Sequence, residues 1–362
     1  MNIRSIRVGL ISLAALLAAG AAAAGLQADV LTSAARVTPL ALRSPLVNIT
    51  SVGPRIVGVG PRGHILISAD GGKLWRQANV PVRADLTAVR MLDARQGWAV
   101  GHDGVVLRTE NGGADWIKVL DGRSVRPLLE QSYQARAEAG DAEAVRIKGE
   151  IDRLMAQSAS SNVMPNPFLD VIFSDAREGF VVGAFGLVLR TRDGGKSWEP
   201  WIERADNDRR LHFYAAASNG STFFFAGEQG LLCRLDKGAE RFTAIPTPYN
   251  GTFFGVYAAR GLLVAHGLRG NAWASEDDGA TWRKIETGVE ASIIAALPAG
   301  GARLILVSQA GHVFSTTDGG RTLAALQVPR QGEVLAAALV GDKQLALTRH
   351  GGVSVLTLPA AQ

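Results

Sequence analysis

Short apolar runs rich in Val, Ile, Leu and Phe alternate with glycine-rich turns along most of the chain. A tight Gly-x-x-Gly turn between two such runs begins at Gly60, Gly101, Gly183, Gly227 and Gly267, with weaker copies at Ser308 and Thr348. The copies are 40 to 44 residues apart, except for one gap of 82 residues. Apolar runs bounded by turns are typical of β-strands, so the pattern indicates seven repeats of one β unit.

Each repeat has room for four strands. In the second copy the apolar runs cover residues 86–91, 97–100, 105–109 and 116–119. Four short antiparallel strands in a period of about 40 residues are the signature of a propeller blade. The chain is therefore predicted to be an all-β, seven-bladed β-propeller of four-stranded antiparallel blades with one helical hairpin insertion. The last copy supplies runs at 333–340, 344–348 and 353–358, and residues 36–42 are predicted to add its fourth strand and close the ring.

In five copies a second signature begins eight residues after the start of the Gly-x-x-Gly turn. It reads Ser/Thr-x-Asp/Asn-x-Gly-x-x-Trp, with Leu323 in place of Trp in the last of the five. It resembles the Asp-box of bacterial-neuraminidase-type repeats. Asp or Asn can bond the backbone of its own turn, Gly accepts a positive φ, and Trp packs over the hairpin. The predicted structural residues are Asp70, Asn111, Asp193, Asp277, Asp318, Trp75, Trp116, Trp198 and Trp282.

The gap of 82 residues contains an insertion at about 121–166, where the pattern changes to that of helices. Pro127 suits a first helical turn, and Gly140-Asp141 suits a break followed by a new N-cap. Apolar residues between 145 and 155 then recur at helical spacing. These features predict a helical hairpin over about 127–157. The hairpin either packs on the propeller or docks a partner, and Tyr133 and Arg146 are its candidate partner contacts.

The first 28 residues have the features of a secretory signal peptide. Arg4 and Arg7 precede an apolar stretch at 8–24, and small residues follow it. An uncleaved membrane anchor is the alternative, because about 17 apolar residues approach the length of a membrane span. Residues 29–362 are then predicted to form an exported propeller, which in a bacterium would lie in the periplasm.

Charge and cysteine content narrow the function classes. The formal net charge is +5 without any run of Lys and Arg, so no nucleic-acid partner is predicted. The single cysteine, Cys233, allows no internal disulfide and lies in an apolar run. The six histidines have no metal-site spacing, and the glycine pairs lie in β-turns rather than in a phosphate-binding loop. No metal or cofactor is therefore predicted, and a monomer is expected.

Blade geometry suggests where a partner would bind. Turns between the second and third strands lie on the same face of a propeller as the blade-to-blade linkers, and the insertion is one of these linkers. Mixed charge with an exposed aromatic residue is typical of a protein-binding surface. The predicted rim around the central opening consists of Arg62, His102, Asp103, Phe185, Glu228, Gln229, Arg269, Gln309, Arg349 and His350. The Asp-box face is predicted to be structural.

Blades two and three carry the residues that indicate a family. Residues 97–109 read GWAVGHDGVVLRT and residues 179–191 read GFVVGAFGLVLRT, and each segment runs into an Asp-box. Over about residues 44–358, the chain resembles the photosystem II stability and assembly factor-like family of propellers. The resemblance implies a non-enzymatic scaffold that assembles or stabilises a membrane protein complex on the far side of a membrane. The client would be photosystem II, in a thylakoid lumen, or an exporter of the resistance-nodulation-division (RND) type in the periplasm of a non-photosynthetic bacterium.

A sialidase-like glycoside hydrolase is the enzymatic alternative, because sialidases are also propellers with Asp-boxes. Such an enzyme needs an arginine cluster and a Tyr nucleophile with a Glu partner. Tyr214 and Tyr257 fall in predicted inner strands, at 211–217 and 252–258, without an evident Glu companion. The chain is therefore predicted not to be an enzyme. A propeller that binds a glycan or lipid in its channel is a second alternative.

Overall fold

The computed structural model describes residues 29–158, 162–329 and 331–359. Within them, 27 strands form seven antiparallel sheets. Blade one contains β1 to β4, at Asn48–Val52, Arg55–Val59, Ile65–Ser68 and Arg76–Gln77. Blade two contains β5 to β8, at Leu86–Met91, Gly97–Gly101, Val106–Thr109 and Ile117–Leu120. Blade three contains β9 to β12, at Phe168–Phe173, Gly179–Gly183, Val188–Thr191 and Glu199–Pro200.

The remaining blades repeat the same order. Blade four contains β13 to β16, at Phe213–Ser218, Phe223–Gly227, Leu232–Asp236 and Arg241–Ala244. Blade five contains β17 to β20, at Phe253–Ala259, Leu262–Gly267, Ala272–Ser275 and Arg283–Lys284. Blade six contains β21 to β24, at Ile293–Pro298, Leu304–Ser308, Val313–Thr316 and Ala324–Ala325. Blade seven contains β25 to β27, at Ala336–Val340, Gln344–Arg349 and Gly352–Thr357.

The first strand of each blade contacts the first strand of the next, and β25 returns to β1, so the blades close into a ring. The predicted seven-bladed all-β propeller is confirmed. Buried apolar clusters fill the spaces between neighbouring blades. Trp98 of blade two, for example, stacks on Phe173 of blade three at 3.5 Å between ring centroids. Burial between blades therefore stabilises the ring.

The predicted fourth strand of blade seven is wrong. Within the described residues that blade has three strands, and residues 36–42 do not pair with β27. Residues Pro39–Arg43 instead form a short 3-10 helix, and Thr38 is its N-cap. Pro39 fixes a helical φ and has no N–H to donate to a strand. Ala41 of this helix packs with Trp75 of blade one and Val353 of blade seven, so side-chain packing bridges the two blades.

The insertion forms the expected helical hairpin, with α1 at Gly122–Glu138 and α2 at Ala142–Gln157. The predicted N-cap Asp141 is confirmed, because its Oδ1 accepts the backbone N–H groups of Glu143 and Ala144 at 3.0 and 3.1 Å. The predicted start near Pro127 is wrong by five residues. Asp121 caps α1, since Asp121 accepts the N–H of Arg123 and the Asp121 N–H donates to Ser124 Oγ. Pro127 then lies in the second turn.

Candidate partner-binding site

The five Gly-x-x-Gly turns share one backbone conformation. Each forms a single 3-10 turn whose third residue has φ between 54° and 58°, the left-handed region. The closing glycine has no room for a side chain: a Cβ at Gly230 would lie 1.7 Å from the carbonyl oxygen of Tyr249, and one at Gly270 would lie 1.8 Å from that of Val289. Tyr249 and Val289 belong to blade-to-blade linkers. The turns and these linkers therefore meet on one face of the ring.

Most of the predicted rim residues reach solvent on this face. Seven are exposed: Arg62, His102, Phe185, Gln229, Arg269, Gln309 and His350. The other three are half-buried: Asp103, Glu228 and Arg349. Burial raises the pKa of Asp103, which lies beside the start of α1. No observation identifies a partner for any one of them, so their role in binding stays a prediction.

The third residue of each turn is left-handed but is not glycine, although glycine would adopt that conformation without strain. The five are Arg62, Asp103, Phe185, Gln229 and Arg269. A side chain in this region costs about 1–2 kcal/mol per residue. Phe185 is the most informative because it is large, apolar and 55% exposed, so packing does not explain it. Backbone strain that is not offset by burial of the side chain indicates a functional reason for keeping that side chain.

A ring of side chains at the mouth of the channel escaped sequence analysis. In blades two to six the inner strand has an irregularity in register at its second residue, next to the Gly-x-x-Gly turn. This residue and its counterparts in blades one and seven are partly or largely exposed, and six of the seven are apolar or aromatic: Val47, Thr87, Leu169, Tyr214, Phe254, Ile294 and Leu335. A β-bulge re-aims a side chain, and here it makes an apolar collar.

Aromatic contacts join the collar to the rim. Phe185 lies edge-on to His212 with 4.8 Å between centroids, and His212 lies 6.1 Å from Tyr214. Tyr214 in turn lies edge-on to Phe254 at 5.8 Å. Glu228 accepts the backbone N–H of His212 at 2.8 Å and holds this segment in place. These four rings, Phe185, His212, Tyr214 and Phe254, are called the aromatic stripe below.

The helical hairpin is fixed to the propeller beside Phe185. The Tyr133 hydroxyl donates to Glu203 Oε2 at 2.6 Å, and Arg136 pairs with Glu203 Oε1 at 2.5 Å. Arg210 pairs with Glu143 and Glu150 of α2 at 3.2 and 2.9 Å. Glu203 and Arg210 both belong to the linker between blades three and four. The hairpin therefore packs on the propeller through apolar contacts and ion pairs, as one of the two interpretations expected.

The assignment of Tyr133 as a partner contact is wrong for this conformation, because its side chain is 0% exposed. Val125, Leu129 and Tyr133 lie on one face of α1 and are buried against the propeller core. Arg146 is half-buried and pairs with Glu143 and Glu150 on its own helix at 2.5 and 2.7 Å. Its role in binding stays a prediction. The outer face of the hairpin presents Val145, which is 52% exposed.

A cleft of about 390 Å³ separates α2 from the turn of blade three. Its apolar walls come from both the hairpin and the propeller: Leu129, Ile147, Ile151, Leu154, Leu187 and Ile202. Phe185 lines the same cleft, so the aromatic stripe begins at its edge. A concave apolar site that continues into an exposed aromatic surface is suited to a protein segment with bulky apolar side chains.

The Asp-box turns bond internally, as predicted for structural residues. Asp70 Oδ1 accepts the N–H groups of Lys73 and Leu74, both at 3.0 Å, and Ser68 Oγ donates to it at 2.8 Å. Asp193 repeats this arrangement. Asp277, Asp318 and Asn111 each accept the backbone N–H of the residue four positions later, and Asn111 does so with its amide oxygen. Hydrogen bonds from Thr281 lower the pKa of Asp277 to about 2.

The same turns also contact the preceding blade. A Cβ at Gly279 would lie 2.6 Å from Ile245 of blade four, and one at Gly320 would lie 2.7 Å from Ile285 of blade five. The second glycine of the box therefore leaves room for the neighbouring blade. Of the four tryptophans, Trp116 and Trp198 are buried, while Trp75 and Trp282 are partly exposed.

Two tyrosines have glutamate neighbours that sequence analysis did not find. Tyr133 donates to Glu203, as above, but it is buried and inaccessible to a substrate. Burial and the charge of Glu228 raise the pKa of Tyr214, which disfavours the phenolate that a nucleophile requires. Burial also raises the pKa of the Cys233 thiol to about 12, so this thiol is not activated. These environments give no support to nucleophilic catalysis by Tyr133, Tyr214 or Cys233.

The described part of the chain contains no group of three or more His, Cys, Asp and Glu side chains arranged to hold a metal ion. None of its helices combines the length and apolar character that a membrane crossing requires.

Known proteins similar to this chain share both sequence and fold with it. The model of the family "Photosynthesis system II assembly factor YCF48" matches residues 156–323. The photosystem II assembly lipoprotein Ycf48 of Synechococcus sp. (strain CC9902) is 25% identical over 165 residues, which cover 44% of this chain and 48% of that protein. The predicted resemblance to the photosystem II stability and assembly factor-like family is confirmed. The chain spans about half the length of the curated relatives it matches.

Solved structures support the propeller fold of this chain. YCF48 bound to D1 peptide has a TM-score of 0.63 and 13% identity, and the match covers 93% of this chain and 98% of that chain. The WD40 propeller domain of Doa1 has a TM-score of 0.61 and 9% identity over 92% of this chain and 97% of that chain. The family match begins at residue 156, so it includes blade three but not blade two, from which part of the resemblance was drawn.

Proposed function

We propose that this protein is an exported, non-enzymatic scaffold that binds a membrane protein complex during its assembly. The similarity to photosystem II assembly factors supports a scaffold role. The signal-like sequence at 1–28, which lies outside the described residues, supports export, and the relatives are named lipoproteins. The compartment would be the periplasm, or the thylakoid lumen in a photosynthetic cell.

The aromatic stripe is the observation that carries the proposal. It joins an apolar cleft to the mouth of the channel, and its first residue keeps a large side chain in a strained conformation. Aromatic residues that are rigid and partly exposed supply much of the binding energy in protein interfaces. The proposed ligand is an extended segment of the client, with apolar side chains that enter the cleft and the collar.

The identity of the client is part of the proposal. The relatives are named for photosystem II assembly, and one similar structure contains D1 peptide. For this chain, photosystem II and an RND-type exporter are the two candidate clients. Mass spectrometry of the captured protein distinguishes them.

Capture from detergent-solubilised membranes of the source organism tests the proposal. Immobilised protein of residues 29–362 is compared with a Phe185→Ala/Phe254→Ala variant, and the proteins retained are identified and quantified. Each aromatic anchor contributes about 2 kcal/mol or more in typical interfaces, so the variant should retain at least about tenfold less client. Circular dichroism and thermal melting confirm that the variant is folded.

Two control variants locate the binding surface. Ile117→Ala removes an exposed apolar side chain on the outer strand of blade two, away from the stripe, and should retain the client fully. Val145→Ala alters the outer face of the hairpin. If only Val145→Ala lowers retention of the client, the binding site is on the outer face of the hairpin and not at the stripe. Equal retention by all variants would contradict the proposed stripe, and no retained membrane protein would contradict the scaffold role.

A further inference from the structure

An exposed apolar surface lies on the outer edge of the ring, near where the described chain begins. Val37 is 70% exposed, Leu40 71%, Leu42 43% and Leu74 76%. Single exposed apolar side chains are common, but four in two neighbouring segments are not explained by packing within the described residues. These segments are residues 36–43 and residues 73–76, and together they are called the edge patch.

Hydrogen bonds hold the two segments side by side. The N–H of Thr38 donates to Gln77 Oε1 at 3.0 Å, and Gln77 Nε2 donates to the carbonyl oxygen of Arg36 at 3.0 Å. Ala41 packs with Trp75, which directly follows Leu74. The exposed side chains of residues 37–42 therefore lie alongside those of residues 73–76.

The charged side chains of the edge patch are all cationic. Arg36, Arg43, Lys73 and Arg76 are exposed, and none has an acidic partner within 4.0 Å among the described residues. The neighbouring acids are Asp70 and Asp115, and Asp115 interacts with Arg76 through its charge without forming an ion pair within 4.0 Å. Asp70 accepts the N–H groups of Lys73 and Leu74, and Asp115 accepts the side-chain amides of Asn79 and Asn111.

Leucines flanked by unpaired cations match the chemistry of an anionic bilayer surface. Such a surface offers phosphate groups to arginine and lysine, and hydrocarbon to apolar side chains a few ångströms deeper. We propose that the edge patch rests on a bilayer rich in anionic phospholipid.

This proposal goes beyond the client-binding function and leaves the aromatic stripe free. The stripe lies at the channel mouth and blade three, whereas the edge patch lies at the outer edge of blades one and seven. The two surfaces are separate, so each can be inactivated alone.

Vesicle binding tests the edge patch with the protein of residues 29–362, which lacks the apolar stretch. Vesicles of phosphatidylcholine, with and without phosphatidylglycerol, are sedimented with the protein. The protein should bind vesicles that contain phosphatidylglycerol, and added salt should weaken the binding because it screens the cations. Equal binding to both vesicles, or binding to neither, would overturn the proposal.

Matched charge variants locate the binding surface. R36Q/R43Q/K73Q/R76Q should bind anionic vesicles at least about tenfold more weakly, since each cation near such a surface contributes favourably. K196Q/R209Q/K237Q/R260Q removes four exposed cations from blades three to five and should bind within about twofold of the unmodified protein. If the second variant loses as much vesicle binding as the first, the attraction comes from the net charge of the protein, and the edge patch is not a membrane-binding site.

A fluorescent probe tests insertion without altering the charges. Leu40→Cys carries an environment-sensitive fluorophore at the patch, and Ile117→Cys carries it at an exposed position on blade two. Cys233 is buried and stays unlabelled. Anionic vesicles should shift the emission of the probe at position 40 to shorter wavelength and leave that at position 117 unchanged. A vesicle-bound protein with no shift at position 40 would overturn insertion of the patch, and capture of a membrane protein through the patch in place of lipid would do the same.

Discussion

The two ends of each blade use tight turns with left-handed residues, but they differ in what the side chains contact. At the Asp-box end, Asp70, Asp193, Asp277 and Asp318 bond the backbone of their own turns. At the Gly-x-x-Gly end, the left-handed residues are Arg, Asp, Phe, Gln and Arg, and most of them project into solvent. Repeated side chains with local bonds serve the fold, whereas varied side chains on a repeated backbone are free to serve binding.

Glycine substitutions at the Gly-x-x-Gly end should have the largest effect. In Gly230→Ala the new Cβ would meet the carbonyl oxygen of Tyr249 at 1.7 Å while φ is +75°. Backbone strain and overpacking should together lower the free energy of unfolding by roughly 3 kcal/mol or more. Gly220→Ala has φ +82° and no atom within 4 Å, so it isolates the cost of strain alone. Equal urea midpoints for the two variants would show that the linker does not press on the turn.

Substitution at the attachment of the hairpin should have the next largest effect on the free energy of unfolding. Tyr133→Phe removes the hydrogen bond to Glu203 in a buried position and should lower the free energy of unfolding by about 1–2 kcal/mol. Tyr257→Phe is the control, because Tyr257 is partly buried and its hydroxyl forms no hydrogen bond with the described residues. Urea denaturation followed by circular dichroism measures both. Similar losses for the two variants would mean that the Tyr133–Glu203 contact adds nothing to stability.

The stabilisation contributed by the Asp-box turns should decrease in acid. Burial opposes a low pKa at Asp193, but hydrogen bonds from Ser197 outweigh it and lower the pKa to about 2, as at Asp277. Both values lie below the ordinary 3.8, so the stabilisation is present above about pH 4 and is lost as the pH falls toward about 2. Asp193→Asn/Asp277→Asn should flatten this dependence, because Asn111 already holds the same turn in blade two.

Histidine gives an internal reference for that titration. Burial lowers the pKa of His266 from 6.5 to about 4, so its stabilisation is present above pH 6.5 and is lost as the pH falls toward 4. The Asp193→Asn/Asp277→Asn variant should leave the change in stability between pH 6.5 and 4 (the upper window) unchanged and should alter only the change below about pH 4 (the lower window). Urea midpoints measured across both windows make the comparison. An unchanged lower window would mean that the Asp-box carboxylates do not drive acid unfolding.

Phe185→Gly should have the smallest effect on stability. Glycine relieves the left-handed strain but adds entropy to the unfolded chain, so the free energy of unfolding should stay within about 1 kcal/mol. Retention of the client should nevertheless fall as in the Phe185→Ala/Phe254→Ala variant. A large loss of stability in urea denaturation would assign Phe185 to the fold and remove the contrast between the two ends of the blades.

The sequence by itself determined the repeated parts of the molecule. The 40-residue period indicated the seven blades, the second blade's first strand falls at Leu86–Met91 as predicted, and Asp141 caps a helix as its neighbours indicated. These features depend on contacts within one hairpin or one helical turn. Residues close in sequence meet at little entropic cost, so their types are enough to fix the local structure.

Only the tertiary structure decided the features that join distant segments. Pro39–Arg43 form a helical bridge and not a strand, because the packing of Ala41 with Trp75 and Val353 outweighed an apolar strand-like pattern. Tyr133 is buried because Glu203, in a linker 70 residues away, provides its hydrogen-bond partner. Most of the apolar collar exists because an irregularity in the inner strands of blades two to six turns one side chain toward the channel mouth. Such outcomes depend on which surfaces meet when the ring closes, and a single sequence does not display those pairings.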